Sequence, residues 1–348
     1  MKSSFFAAFL LALPLTAQDD TVTLTNGTKL EGVKVTSFDI RELKYTKGGA
    51  QSVPTDQVVK VELAKFNDYF RLGLKDADLM LTKAREAHKE KSILLAQLGF
   101  ISAASQFFDA GKAAEAVGVL DEMQKEKDFA EAGVLPDVYR MKFEYYMGQG
   151  GKGAASAASV AKKYQTDASG GGWPAGLAVE AEFFQAMAEN AANGQPKDFQ
   201  LKLRAVVAKG QSTNPMVANR ANVQLAHSLR ENKDPEGARK IYDDLAKRDG
   251  VDASSRAGAF LGLGHLALDE GTGANKDLFR KALLLFLRVR LETRDAWPSQ
   301  HAEAMYYAIQ AADKWRGNDF AYIIARCRGV LYNDFGDTEW ASKAKNGR

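Results

Sequence analysis

Along most of this chain the apolar positions recur every three or four residues, the spacing that gathers them on one side of a helix. The clearest stretch is 219–245, NRANVQLAHSLRENKDPEGARKIYDDL. Leu225, Ala226 and Leu229 share one face of a first helix, and Ala238, Tyr242 and Leu245 share one face of a second. Asp234 before Pro235 supplies an N-cap followed by proline at the first helical position. The pattern predicts a hairpin in which the small Ala226 and Ala238 bring the helices close while Leu225, Leu229 and Tyr242 fill the space around them. Stretch 98–123 repeats it, with Ala103, Ala104 and Phe107, a turn at Gly111, then Ala116, Leu120 and Met123.

Further helices are predicted to begin at Pro136, Pro174, Pro215, Ser254 and Pro298, a period of about 40 residues that indicates stacked helical hairpins. Glycine-rich tracts at 148–153, 170–172 and 271–273 fall where turns belong. Residues 66–90 read as one long helix, with Leu72, Ala77, Leu81 and Ala84 on one face.

Before that helix the period changes. Val22 and Leu24 lead to Asn26-Gly27, a strong hairpin signal, and Leu30, Val33 and Val35 follow it. A third strand is predicted over 40–45, a turn at Lys47-Gly48-Gly49, a strand near Val53-Pro54 and a last one over 58–63. Five short strands in so few residues predict a small closed or half-closed barrel.

Residues 1–17 stand apart. A positive start, Met1-Lys2, precedes the apolar run 5–15, and Ala17 precedes Gln18-Asp19-Asp20. The pattern predicts a cleaved secretory signal with processing near Ala17, and no cysteine is near enough for lipid attachment. The run is shorter than the ~20 residues a membrane span requires. The later run 282–287, ALLLFL, is brief and flanked by arginine and lysine, so it is predicted to be a buried repeat helix. No membrane span is expected after signal removal.

A net charge of +3, from 47 basic and 44 acidic residues, gives no reason to expect nucleic acid as a partner. The single cysteine, Cys327, excludes an intrachain disulfide and a cysteine-based zinc site, and it reads as a small apolar helix residue.

The two hairpins at 98–123 and 219–245 resemble tetratricopeptide (TPR) repeats. The segment 20–64, with Val22-Thr23-Leu24, Asn26-Gly27, Leu30, Gly32, Val33 and the closing 58–62, resembles bacterial Sm-like or SH3-like barrels. RNA-binding Sm proteins carry an Arg-Gly pair near their last strands. Thr55-Asp56-Gln57 stand there in this chain, so RNA binding is not carried over. The end of the chain, from Tyr332 through Trp340 to Lys345, resembles the tail of exported bacterial TPR proteins. Asp337 or Thr338 would cap a short final helix, and Trp340 and Ala344 would seal the last hairpin. Together these resemblances imply a mainly α fold: a right-handed superhelix of about six stacked helical hairpins over 66–348, preceded by a small five-stranded β-barrel over 20–64.

Candidate chemistry is sparse. GQGGKG at 148–153 lacks the P-loop pattern, with Tyr146 and Gly153 where glycine and Ser/Thr are required. His88, His227, His265 and His301 show no close metal-ligand spacing. The acidic run Asp243, Asp244, Asp249 and Asp252 lacks the EF-hand's alternation and reads as capping and solvation. No catalytic residue, metal site or cofactor is predicted.

The TPR resemblance implies that His227 and His265, each following the small residue of its helix, face a concave groove. It places Arg220, Arg230, Leu261, Leu268 and Met305 there as well. Arg220 and Arg230 suit an acidic peptide or a carboxylate. The pairs Tyr145-Tyr146, Phe183-Phe184 and Tyr306-Tyr307 offer one ring each for packing and one for the groove. The expected function is a non-enzymatic scaffold in the periplasm or cell envelope that binds a protein or peptide partner. A small-molecule or glycan binder using the groove aromatics is the alternative, and an enzyme with a site assembled across distant hairpins is a third.

Overall fold

The computed structural model describes residues 19–194, 196–294, 296–336 and 338–346. The predicted signal 1–17 and the candidate cap Asp337 lie outside the described residues. The chain is mainly helical, with a five-stranded sheet near its start, and packs as two compact units, the second comprising Thr25–Gly27, Pro54–Gln57 and the described residues from Gly133 on, the first the rest.

The first unit opens with β1 (Asp20–Leu24), β2 (Lys29–Phe38), β3 (Glu42–Thr46), β4 (Ala50–Pro54) and β5 (Val58–Glu62). Their order in the sheet is β4-β3-β2-β1-β5, and the β1–β2, β1–β5 and β2–β3 pairs are antiparallel. The Asn26-Gly27 turn joins β1 to β2, with Gly27 at a left-handed φ of 81° that other residues rarely adopt. Val22, Val33, Val35, Phe38, Leu43 and Tyr45 are buried, the alternation of a sheet with one covered face. Asp20 fixes the sheet's ends: its carboxylate accepts from the amides of Val35 and Ala64, each at 2.8 Å.

The predicted long helix over 66–90 is in fact two, α1 (Phe66–Tyr69) and α2 (Ala77–Lys89). Asp76 breaks it by capping α2, accepting from the amide of Leu79 at 3.0 Å. Leu72 lies outside both helices and is 67% exposed, so it faces no core. The next hairpin, α3 (Ile93–Asp109) and α4 (Ala113–Lys125), buries Ala103, Ala104, Phe107, Ala116, Leu120 and Met123 as its spacing predicts. From α3, the buried Gln97 side chain donates to the carbonyl of Phe38 at 3.0 Å, which ties this hairpin to the sheet.

The second unit is a series of helices: α5 (Leu135–Gly148), α6 (Ala154–Gly170), α7 (Ala175–Asn193), α8 (Pro196–Thr213), α9 (Pro215–Glu231), α10 (Pro235–Lys247), α11 (Ala253–Glu270), α12 (Asp277–Glu292), α13 (Pro298–Trp315), α14 (Phe320–Asp334) and α15 (Glu339–Asn346). Each packs on the next in sequence. In addition α5 packs on α7, α7 on α9, α9 on α11 and α11 on α13, so the first helices of successive hairpins form a layer of their own. The five predicted helix starts each fall within one residue of an observed start.

In the hairpin of α9 and α10, Leu225, Ala226, Leu229, Ala238, Tyr242 and Leu245 are all buried, and Asp234 accepts from the amide of Gly237 at 2.9 Å. Tyr242 reaches from α10 to the backbone of Gly262 on α11, where any Cβ would meet its ring; this close approach explains a glycine inside a helix. Thr338 caps α15 through the amide of Ala341 at 3.3 Å, and Trp340 and Ala344 pack on the core.

A partly buried ion network centred on Glu180 joins α5, α6 and α7. The Arg140 guanidinium donates to both oxygens of Glu180 at 2.8 Å and to Asp137 at 2.6 Å. The Tyr164 hydroxyl donates to Glu180 at 2.7 Å. Glu180 is 0% exposed. Desolvation pushes its carboxyl up, but the charge and hydrogen bonds of Arg140 outweigh that and hold it below its usual value.

Candidate functional site

The layer formed by α5, α7, α9, α11 and α13 carries a cleft of about 520 Å³ to which all five helices contribute. Phe143, Met147, Phe183, Phe184, Met187 and Trp297 make it apolar. Both members of the Phe183-Phe184 pair line it, where one was expected to; Phe143 and Phe184 stack at 4.3 Å. Arg220 on α9 enters this apolar wall with its guanidinium 5.4 Å from the Trp297 ring centre. Ser255, at the start of α11, and Glu144, on α5, also line the cleft.

Arg220, Gln224, His227 and Arg230 follow one another along α9 at helical spacing, which carries the groove past the cleft into a polar row. The His227 ring lies 5.7 Å from that of Tyr242. On α11, His265 Nε2 sits 3.0 Å from Glu303 Oε1 of α13, and its ring meets Tyr307 edge-on at 4.3 Å. Burial, then the charge of Arg230, push the His227 imidazole down to about 4; Glu303 opposes this and His265 adds to it. The row therefore joins three of the predicted groove residues, His227, Arg230 and His265, on adjacent helices. Glu303 and Tyr307 complete it. Among the described residues no Ser, Thr or Cys hydrogen-bonds either imidazole.

Three predicted groove residues are placed differently. Leu261, Leu268 and Met305 are 3%, 8% and 3% exposed and belong to the hydrophobic core. They hold α11 and α13 in place and present no side chain to a partner. The cause is that α11 buries residues on nearly every side, which leaves no face to be told apart by hydropathy.

The sequence reading missed Ser255, Glu144, Trp297 and Glu303. Glu303 had a signal: it stands 38 residues after His265, about one hairpin period. Trp297 immediately precedes a predicted helix start. Ser255 and Glu144 carried none, since a serine in a first turn reads as capping and a glutamate on a helix as surface.

The first unit holds a larger cleft of about 870 Å³, lined from β2 and the start of α3. Its charges are largely satisfied within the protein: Lys91 pairs with Asp128 at 2.9 Å, and Asp20 accepts the two amides described above. Cys327 is buried on α14, and burial pushes its thiol up to about 11, which suits a packing residue. Among the described residues no three His, Cys, Asp or Glu side chains gather to hold a metal ion, and no helix is long and apolar enough to cross a membrane.

No family model matches the sequence, and no curated protein matches it. Among solved structures the chain is similar to one in the crystal structure of BtubC (BKLC) from P. vanneervenii, with a TM-score of 0.34, 13% identity, and coverage of 76% of this chain and 92% of that one.

Proposed function

We propose that this chain is an exported, non-enzymatic scaffold of TPR-like hairpins that holds an extended segment of another cell-envelope protein along α5, α7, α9, α11 and α13. The observation that carries the reading is the composition of that shared face. An apolar cleft gives way along α9 to a row of side chains that donate and accept hydrogen bonds, Arg230, His227, His265 and Glu303. Apolar anchors beside polar positions are what recognition of an extended chain requires. The signal-like start motivates export, and the sheet serves as an adaptor.

A photo-cross-linking amino acid at Gln224 tests this in intact envelopes, with the same residue at Leu201, which is 67% exposed on α8, as control. A single protein cross-linked from Gln224 and not from Leu201, and lost when His227, Arg230 and His265 are replaced by alanine in a chain that stays folded, is the expected result. Equal labelling from both positions, or none from Gln224, sinks the reading.

A further inference from the structure

The cleft contains polar groups that the protein itself leaves without partners. Among the described residues the one hydrogen-bonding contact of the Arg220 guanidinium is the sulfur of Met216, 3.9 Å from Nη2, and its Nε is enclosed with no acceptor. Ser255 is 2% exposed; its amide donates to Asp252 at 3.0 Å, but its hydroxyl is enclosed with no partner. Both residues line the same cleft, from adjacent helices. A donor without an acceptor leaves its desolvation cost unrecovered, so an acceptor that reaches either group as the side chain turns into the cleft is favoured. A guanidinium prefers an acceptor that is negative, planar and two-oxygened.

Much of the remaining wall is rings and thioethers, which favour an apolar body, beside the polar Gln224, Ser254, Ser299 and Gln300. A volume of about 520 Å³ is in the range of small-ligand sites. Two acids feel the same cation: Glu180, which Arg140 already holds, and Glu144 on α5, whose side chain reaches solvent. Its charged form is disfavoured by burial first, and Arg220 pulls the other way.

We propose that this cleft binds a small organic acid, with the carboxylate on Arg220 and Ser255 and an aromatic or medium-chain aliphatic body against Phe143, Phe184 and Trp297. The assignment goes beyond the scaffold reading, since it concerns a free small molecule.

Isothermal titration of the purified chain with 4-phenylbutyrate, indole-3-acetate and octanoate, and with the primary amide of each, tests it. At least one acid is expected to bind, with its amide at least about tenfold weaker, the weight of one charge-assisted contact. Arg220→Gln is expected to abolish the preference for acid over amide, and Ser255→Ala to weaken the acid several-fold. Glu144→Gln is expected to tighten it, because the competing negative charge is gone. Should Arg220→Gln fail to fold, as a melting curve would show, the opposite signs of the Ser255 and Glu144 effects decide.

Absence of binding by all three acids overturns the proposal. So does equal binding of acids and amides, or binding that Ser255→Ala and Glu144→Gln both leave unchanged. If peptides with a free terminal carboxylate bind and the small acids do not, this proposal falls while the scaffold reading stands.

Discussion

Replacing Glu180 with glutamine probes whether the ion network across α5, α6 and α7 is as enclosed and as fully paired as its geometry indicates. Glu180 is 0% exposed and accepts three hydrogen bonds, two from Arg140 and one from Tyr164, at 2.7–2.8 Å. Glutamine keeps the volume, removes the charge and turns one acceptor into a donor that points at a guanidinium. Breaking a buried pair on one side costs about 3–5 kcal/mol. Arg140 keeps Asp137 at 2.6 Å, so the lower figure, about 3 kcal/mol, applies. For a domain of 150–250 residues each kcal/mol is worth roughly 2–4 °C, so the melting temperature at pH 7 is expected to fall by about 6–12 °C.

The pH dependence supplies a sign. Glu180 sits below its usual 4.5 in the folded chain, so it contributes stability above the unfolded value and loses it as pH falls through the folded one. Asp137 is raised, by burial first, against Arg140's pull and with the Glu180 charge adding to the rise, so Glu180→Gln also relieves part of that shift. The gap between wild type and Glu180→Gln, which includes the relief of Asp137, is expected to shrink in acid. Calorimetric melts at pH 7 and below pH 4 read it. A shift of less than about 2 °C at pH 7, or a gap that persists in acid, refutes the argument. The quadruple variant Asp137→Asn, Arg140→Met, Tyr164→Phe, Glu180→Leu removes every charge of the network at once, and it is expected to recover at least half of the loss.

Two further outcomes follow from single contacts. Gly262→Ala places a methyl in the Tyr242 ring and is expected to cost about 1–3 kcal/mol, part of which returns when Tyr242→Leu is added; equal melts for Gly262→Ala and wild type contradict the packing described. The His227 imidazole, held down to about 4, is expected to titrate near that value by NMR. Because its folded pKa lies below its unfolded 6.5, stability is present above 6.5 and is lost as pH falls towards 4, and His227→Phe is expected to flatten that slope; a wild-type imidazole titrating near 6.5 counts against its enclosure.

Much of the fold was legible because local signals agreed. Prolines at or beside the starts of α5, α7, α9 and α13, Asp234 at its cap, and the contrast between the buried and exposed faces of α9 and α10 all indicated the same hairpins. The long helix over 66–90 failed because Asp76, inside that stretch, caps a new helix start. Among the expected groove residues, Arg220, His227, Arg230 and His265, placed there by the TPR resemblance, keep their side chains outside the fully buried core of α9 and α11. Leu261, Leu268 and Met305 do not, which was not legible because an apolar side chain fits core and groove equally well.

The contacts that escaped the sequence share a geometry that a repeat protein makes readable. Arg140 and Glu180 are 40 residues apart, and His265 and Glu303 are 38 apart, each close to one hairpin period. Residues one period apart lie on neighbouring first helices, so a charge and its opposite at that spacing are candidates for a lateral pair. Glu180 carried a second signal. It stands with Glu182 in the run AGLAVEAEFFQAMA, where an acid turned among small and aromatic residues is costly unless paired, and the arginine that pairs it stands one period earlier. The same rule marks Arg220 as different. Its counterpart one period earlier is Glu180, already taken by Arg140, and the position one period later falls in the apolar core of α11. The hairpin register thus leaves the Arg220 guanidinium hydrogen-bonded to no carboxylate among the described residues, although Glu144 and Glu180 feel its charge, at the point where the first-helix layer opens into a cleft.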